Sequence, residues 1–290
     1  MVPVIRKLSN KPILFDAYLS VYDTMIFDRG LASPNSFVAK GARFIDHWAC
    51  NSSHHIVVHT HEQLKFFTKE FGLSEKKFSV IPSGADDTVF YPRKKAQHEK
   101  FRILFYGSFV PVQGTEYIVR AAKVLAERGY HELEFRMIGD GIMRDTCIRL
   151  AKKLCLTNVR FLGRVSDSEL VQEIAEADIC LAGHFGSSMK ALREVPGKTF
   201  QMLAMKKPTI VSDSPASREF FEDGKNTVFS KVADENAIAE CIRMLFESEK
   251  KRQEIACAGF NLFKKRFTPQ VIGQELAKVI GVLISSRGYN

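Results

Sequence analysis

Apolar residues follow two rhythms along this chain. Compact apolar runs alternate with longer stretches whose apolar residues recur every three or four positions. The first rhythm suits strands buried on both faces, and the second suits amphipathic helices. The runs predict strands at 12–16, 56–60, 78–82, 101–106, 133–138, 159–162, 179–182 and 209–212. Helices are expected at 35–52, 61–71, 115–128, 142–154 and 168–176, from Lys198 to about Lys206, and at 235–247, 250–267 and 269–284. Gly72 closes the second of these as a C-cap. The helix at 35–52 gathers Phe37, Phe44, Ile45 and Trp48 on one face. Regular alternation of strand and helix predicts a doubly wound α/β fold. The polar stretch RKKAQHEK at 93–100 reads as a linker. It separates a first lobe, 1–92, from a second, 101–268, with a terminal helical segment at 269–290.

Composition narrows the class. The chain has 290 residues, 45% hydrophobic and 26% charged, which suits a globular protein of about two domains. Its net charge of +9 is uneven. Residues 1–92 hold 10 Lys/Arg against 9 Asp/Glu, and residues 93–290 hold 32 against 24. A basic second half fits a phosphate-bearing ligand or an anionic membrane surface. Nucleic acid is not expected as a partner, because no RNA-recognition, zinc-finger or helix-turn-helix signature accompanies the charge. Six scattered cysteines without a C-x-x-C pair predict free thiols in a reducing, cytoplasmic setting. No apolar run approaches the ~20 residues that span a bilayer. The opening MVPVIRKLSNKPILFD lacks the long apolar core and cleavage site of a signal peptide.

The richest chemistry lies in KALREVPGKTFQMLAMKKPTIVSD, residues 190–213. A basic turn with Lys190, Arg193 and Lys198 runs into a helix start. Unpaired N–H groups at a helix N-terminus, flanked by cations, form an anion site suited to a diphosphate. A solvated basic turn in an ordinary loop-helix-strand unit explains the same spacing.

The stretch resembles the nucleotide-sugar signature of GT-B glycosyltransferases of the GT4-like superfamily. One form of that signature reads roughly KA-x-R-x-IP-x-K-x-[YF]-[EQ]-x-LA-x-GKPVI. Lys190, Arg193, Pro196, Lys198, Phe200, Gln201, Leu203, Ala204, Lys207, Pro208 and Ile210 fall in its register. In another form Glu stands at the places of Arg193 and Gln201, and Glu194 lies one place out of register. Residues 78–92, FSVIPSGADDTVFYP, resemble the run that closes the family's first domain. The resemblance implies a GT-B-like α/β fold with two Rossmann-type lobes, and a last helix that crosses back to the first lobe. It further implies a complete second lobe that binds the donor. The first, acceptor-side lobe is expected to be incomplete, since such a lobe needs about 150 residues.

The resemblance also implies site residues. Gly107 and Ser108 stand where relatives have Gly-Arg, and Gln113 stands before Gly114 where they have Lys. Both phosphate-gripping cations are therefore replaced, and Lys190, Arg193 and Lys198 are expected to supply the charge. Gln201 would hold the ribose. Gly139 begins a G-x-G at a strand end, where a tight turn with Asp140 as helix cap is the alternative. Gly163 and Arg164 match a turn that reads the base, with a helix cap at Ser166 competing. Phe185–Ser188 offers small residues near the sugar or phosphates, and Glu219 a helix cap or a weak site residue. For a catalytic base the candidates are Asp16 and His59, among the histidines 54, 55, 59 and 61 around the second strand. A histidine at a strand end more often packs or caps.

The expected function is transfer of a sugar from a UDP- or GDP-sugar to a polysaccharide or lipid-linked acceptor. The resemblance implies retention, no metal and no cofactor beyond the donor. Asp86 and Asp87 are adjacent and do not form a D-x-D metal site. The alternative is a non-catalytic or partner-dependent nucleotide-sugar-binding subunit. A nucleotide-sugar epimerase would bring paired acids and histidines that are not seen. Val4, Ile5, Leu8, Ile13 and Leu14 lie where a fuller lobe would cover them. They predict a second polypeptide, self-association or a membrane surface, so the cytoplasmic chain is expected to be free or peripheral at the inner face of the membrane.

Overall fold

The computed structural model describes residues 2–8, 10–96 and 98–285. Two parallel sheets organise it. The smaller holds β1 (Leu14–Asp16), β2 (His55–Val58) and β3 (Phe78–Val80), in that spatial order. The larger holds β4 (Phe101–Tyr106), β5 (Leu133–Ile138), β6 (Val159–Leu162), β7 (Ile179–Gly183), β8 (Thr209–Ser212) and β9 (Val228–Ser230), ordered β6-β5-β4-β7-β8-β9. Helices intervene: α1 (Val2–Leu8), α2 (Phe37–Ser52), α3 (His61–Phe71), α4 (Thr115–Glu127), α5 (Arg144–Lys153), α6 (Asp167–Glu176), α7 (Gly197–Ala204), α8 (Pro215–Arg218), α9 (Glu235–Glu247), α10 (Glu249–Arg266) and α11 (Pro269–Ser285). Residues 286–290, the end of the expected terminal segment, lie outside the described residues.

The order of the larger sheet is the 3-2-1-4-5-6 arrangement of a Rossmann-type lobe. Chain direction across the sheet reverses between β4 and β7. Ligands of such sheets bind at the carboxyl ends of the strands flanking that reversal. Here those ends are Gly107 and His184.

Local chemistry sets the boundaries. Helix α2 starts two residues later than the periodicity predicts, because Ser36 accepts the Ala39 N–H and becomes its N-cap. Strand β2 stops at Val58, and Thr60 turns its hydroxyl to the Gln63 N–H to cap α3. Helix α6 opens on a capping box between Ser166 and Glu169. Lys207 donates to the carbonyls of Ala175 (2.5 Å) and Ala177 (3.0 Å) at the end of α6. Strand β9 was not expected. Its three residues are too short to stand out, and pairing with β8 makes them a strand. Helix α1 and the π-helical turn Asp23–Asp28 were likewise unforeseen.

The large lobe packs densely on both sheet faces. Ile118, Val119, Ala122 and Leu125 of α4 join Phe105, Phe135 and Leu181 on one side. On the other, Phe200 and Leu203 of α7 meet Phe263 and Phe267. Phe200 and Phe267 have ring centroids 4.8 Å apart. The small lobe differs. Helix α2 turns Ala39, Ala42, Asp46 and Cys50 inward, while Phe37 is 90% exposed and Phe44, Ile45 and Trp48 also face out. Asp46 selects that face. It is buried and accepts from Ser20 Oγ (2.7 Å), Tyr22 N (2.8 Å) and Val21 N (3.1 Å), pinning the loop after β1.

The lobes touch through polar contacts. Glu219 of the large lobe accepts the N–H groups of His61 (2.7 Å) and Glu62 (3.1 Å), capping the first turn of α3. Thr60 donates to the Arg193 carbonyl at 2.6 Å. Helix α11 lies beside the small lobe and shares a hollow with His54, His55 and Ser79. No described helix is long and apolar enough to cross a membrane.

Candidate donor site in the interlobe cleft

A cavity of about 330 Å³ lies at the reversal point, between the lobes. Its large-lobe wall includes Gly107, Ser108, Gln113, His184, Lys190, Glu194, Gly197 and Lys198. Its small-lobe wall includes Tyr18, Thr24, Asp28, His59 and Gln63. A second hollow adjoins it over Gly107 and Ser108, and runs to Gly139, Asp140, Arg164 and Val165. Tyr106, Gly107 and Ser108 line both, so the two form one trough across the end of β4.

Gly107 allows this close approach. Its φ is +149°, and a Cβ there would stand 3.1 Å from Lys198 Nζ. Gly114 performs a second service. At φ +62°, with a Cβ that would fall 2.3 Å from the Phe185 carbonyl carbon, it lets the loop after β4 lie against the end of β7. Phe185 N–H then donates to Gln113 O (3.2 Å) and Gly186 N–H to Val112 O (3.0 Å).

The three cations of the basic turn have different fates. Arg193 points away from the cavity. It pairs with Asp23 at 2.5 Å and lies over the Phe66 ring at 4.2 Å. Lys190 reaches the cavity, donates to Thr24 Oγ1 at 2.7 Å and stands 3.7 Å from Glu194. Lys198 has no carboxylate partner among the described residues. Its Nζ donates to Gln113 Oε1 at 2.5 Å and lies 4.0 Å from the Phe105 ring centroid. The residue is 8% exposed, and burial holds its ammonium well below the usual lysine range. A buried amine at the first turn of α7 without a carboxylate partner suits an anion, whose charge would favour the protonated form.

Carboxylates face Lys190 from the other side. Burial pushes the Glu194 carboxyl up to about 7, with Asp23 adding to the rise and Lys190, Gln63 and Arg193 opposing it. The Asp28 carboxyl is raised by burial and lowered chiefly by Lys190, and its Oδ1 has no hydrogen-bond partner among the described residues.

The remaining expected residues divide. Gly139 and Arg164 line the outer hollow. Gly163 lies beside it without lining it, and its carbonyl accepts the Gly139 N–H at 3.2 Å. Gln201 lines neither hollow; its Oε1 accepts from Tyr106 OH at 2.6 Å. His59 lines the cavity and pairs with Asp16 at 3.1 Å, while Asp16 itself points to solvent. His54 and His55 lie at the far end of the small sheet, by α11, and His61 sits on Glu219. Sequence reasoning did not single out His184, Gln63, Thr24, Asp28 or Tyr18. The first follows an apolar strand, but only the strand order shows that this strand flanks the reversal. The others belong to the opposite lobe and reach the site through folding. No cluster of three metal-ligating side chains occurs among the described residues.

Comparison with known proteins places this geometry. Mannosylfructose-phosphate synthase of Agrobacterium fabrum is 23% identical over 243 residues, 78% of this chain and 52% of its own length. A Corynebacterium glutamicum enzyme is 25% identical over 234 residues, 75% of this chain and 59% of its own length. That enzyme is a GDP-mannose-dependent monoacylated alpha-(1-6)-phosphatidylinositol monomannoside mannosyltransferase. The chain thus spans between half and three fifths of these curated relatives. The crystal structure of Anabaena HepE with UDP-glucose shares the fold, with a TM-score of 0.78 at 16% identity. It covers 96% of this chain and 74% of HepE. The architecture is therefore GT-B-like. A family model described as glycosyl transferases group 1 matches residues 88–261, more than half of the chain, and the protein belongs to that family.

Proposed function

We propose that the chain transfers a glycosyl group from a nucleoside-diphosphate sugar to an acceptor hydroxyl, with retention and without an essential metal. The observation that carries this reading is Lys198, a buried lysine without a carboxylate partner among the described residues, at the start of α7 and against Gly107. In the reaction the bond between the anomeric carbon and the β-phosphate oxygen breaks. The electron pair leaves with the diphosphate, and the acceptor oxygen bonds to the same carbon as its proton is released. Negative charge grows on the leaving diphosphate, where Lys198, Lys190 and the α7 amides are preorganised to stabilise it. Arg193, engaged by Asp23, has a lobe-bridging role instead. The base and ribose occupy the outer hollow by Gly139 and Arg164, and Gln201 acts through Tyr106. His59, oriented by Asp16, is the cleft histidine placed to accept the acceptor's proton.

The acceptor is a polysaccharide or a lipid-linked glycan, taken up from the small-lobe side. The six free cysteines support a reducing, cytoplasmic setting. A second reading, a nucleotide-sugar-binding subunit that depends on a partner chain or a membrane surface, is favoured by the outward-facing Phe37, Phe44 and Trp48.

A thermal-shift panel of UDP, GDP and ADP, each with and without EDTA, tests the donor site. One nucleotide at 100-fold its Kd stabilises the wild-type chain by about 2.7 kcal/mol. EDTA leaves the shift unchanged, and Lys198→Ala removes it. No shift with any nucleotide at millimolar concentration, or a strict need for Mn²⁺ or Mg²⁺, contradicts the reading. Hydrolysis of the matching nucleotide sugar then separates an enzyme from a binding subunit.

A further inference from the structure

The exposed large apolar side chains are unevenly placed. Thirteen of them lie between Val4 and Trp48, and seven in all the rest of the described chain. Helix α2 carries the densest group. Phe37, Phe44, Ile45 and Trp48 recur at helical spacing along one face, and all are exposed. Helix α1, with Val4, Ile5 and Leu8 exposed, packs against α2. An apolar surface of this extent on one small lobe marks an interaction site.

The charges around it indicate the partner. Residues 2–52 contain six cations, Arg6, Lys7, Lys11, Arg29, Lys40 and Arg43, and all six are exposed. The same segment contains four carboxylates, and three are turned inward. Asp23 is held by Arg193, Asp28 lies in the cavity wall, and Asp46 holds the loop after β1. The fourth, Asp16, stands at the cleft end of β1 against His59. Folding has thus withdrawn negative charge from the outside of this segment and left positive charge there. Arg43 is answered by Glu70 of α3. Lys40 instead lies 5.6 Å from the centroid of the Phe37 ring, so cation and apolar face share an edge. Arg6 touches His54, which lines the hollow beside α11 together with Lys76 and Lys278. No carboxylate among the described residues lines that hollow.

A second copy of the chain fits this surface poorly. A two-fold axis would set cations against cations, with no exposed acid on the face to meet them. The cores of protein interfaces are also depleted in lysine. An anionic bilayer answers both components. Its headgroups attract the cations, and its interfacial layer accepts Trp, Phe and Leu side chains. Lys40 can keep its stem along Phe37 and its ammonium among the headgroups. Because α2 is too short and too polar to cross a membrane, it would lie along the surface.

We propose that the α1–α2 face of the small lobe docks on an anionic membrane surface. Phe37, Phe44 and Trp48 enter the interfacial layer, and Arg6, Lys7 and Lys40 meet the headgroups. The assignment rests on this surface and not on the donor site. It selects a membrane over a partner chain, and of the two acceptor classes named above it favours the lipid-linked one.

Flotation of the full chain with two kinds of vesicle tests the docking. One is phosphatidylcholine alone, and the other contains about one third phosphatidylglycerol. The wild-type chain floats with the anionic vesicles, floats poorly with the neutral ones, and is released by high salt. Lys7→Gln and Lys40→Gln each lower partitioning about fivefold. Lys250→Gln, on the remote helix α10, leaves it unchanged. Replacing Phe37, Phe44 and Trp48 together by serine lowers it more than tenfold. Melting temperatures and nucleotide shifts of the variants show that each is folded with its donor site intact. Equal flotation with both vesicles, or an equal loss in Lys250→Gln and Lys40→Gln, overturns the assignment. So does a parent chain that self-associates in light scattering and binds no vesicle, which gives the face to a second copy. A chain that binds anionic vesicles but no nucleotide leaves this assignment standing and removes the donor reading.

Discussion

Helix α7 presses Phe200, Met202 and Leu203 into the large lobe, where they are at most 1% exposed. Helix α2 in the small lobe does the reverse. It keeps alanines, a cysteine and an aspartate inside and presents Phe37, Phe44, Ile45 and Trp48 to solvent, with Phe44 and Trp48 stacked at 5.8 Å. Both helices have an apolar face. They differ in what stands opposite. Helix α7 lies on a six-stranded sheet with α10 behind it, whereas α2 has a three-stranded sheet and a loop held by Asp46. An apolar face becomes core only where a second layer meets it. The outward face of α2 therefore stays at the surface, and the inward face of α7 is part of the large-lobe core.

The sharpest way to break this contrast is to truncate a ring inside the large lobe. Phe267→Ala opens a cavity among Phe200, Phe220 and Phe221 and is expected to cost about 3–5 kcal/mol in urea unfolding. A loss below about 1 kcal/mol would show that the large lobe is not the rigid partner.

A smaller effect comes from the boundary between the lobes. Burial pushes the Glu194 carboxyl up to about 7 in the folded chain, above the ordinary glutamate value near 4.3 that holds in the unfolded one. The folded state thus binds more protons between those values, and stability declines as pH rises through that window, then levels off. The decline is about 3–4 kcal/mol. Glu194→Gln lacks this component, and a pH series of urea midpoints for the two chains shows it as a difference in slope. Parallel curves would mean that the carboxyl is not buried between the lobes.

Next is the cap that one lobe supplies to the other. Glu219→Ala leaves the His61 and Glu62 N–H groups without their acceptor, at a cost of about 1 kcal/mol. Amide exchange at the first turn of α3 should quicken while that of α9 is unchanged. Equal protection in both chains would remove Glu219 as a strap.

The smallest change in stability is expected on α2. Replacing Phe37, Phe44 and Trp48 together by serine alters folding stability by about 0.5 kcal/mol or less per site. The same variant should lose the anionic-vesicle binding shown by the parent in flotation. A parent chain that binds no such vesicle would leave the face of α2 without that occupant.

Much of this was legible before folding. The strands at 101–106, 133–138, 159–162 and 209–212 and the helix at 235–247 are found at the predicted residues. Their signals are local: apolar runs, helical period, caps and turns. The helix start at 197–198 and its cation were also readable, because an anion site at a helix N-terminus lies within one stretch of chain.

Other features were decided only by tertiary structure. Lys190, Arg193 and Lys198 look alike in sequence, and three nearby cations share one expected role. Asp23 claims Arg193, Thr24 and Glu194 hold Lys190 at the cavity wall, and Lys198 is left without a carboxylate partner among the described residues. Those claims come from residues more than 160 positions away in the cases of Asp23 and Thr24. His184 reaches the cavity wall because β4 and β7 are neighbours across the reversal of the large sheet. Which face of α2 is inside was settled by Asp46 and its loop, against the hydrophobic pattern. Periodicity reports which residues share a face, and the partner layer determines whether that face is buried. Likewise a side chain's charge is written in the sequence, while its availability depends on which opposite charges the fold brings within reach.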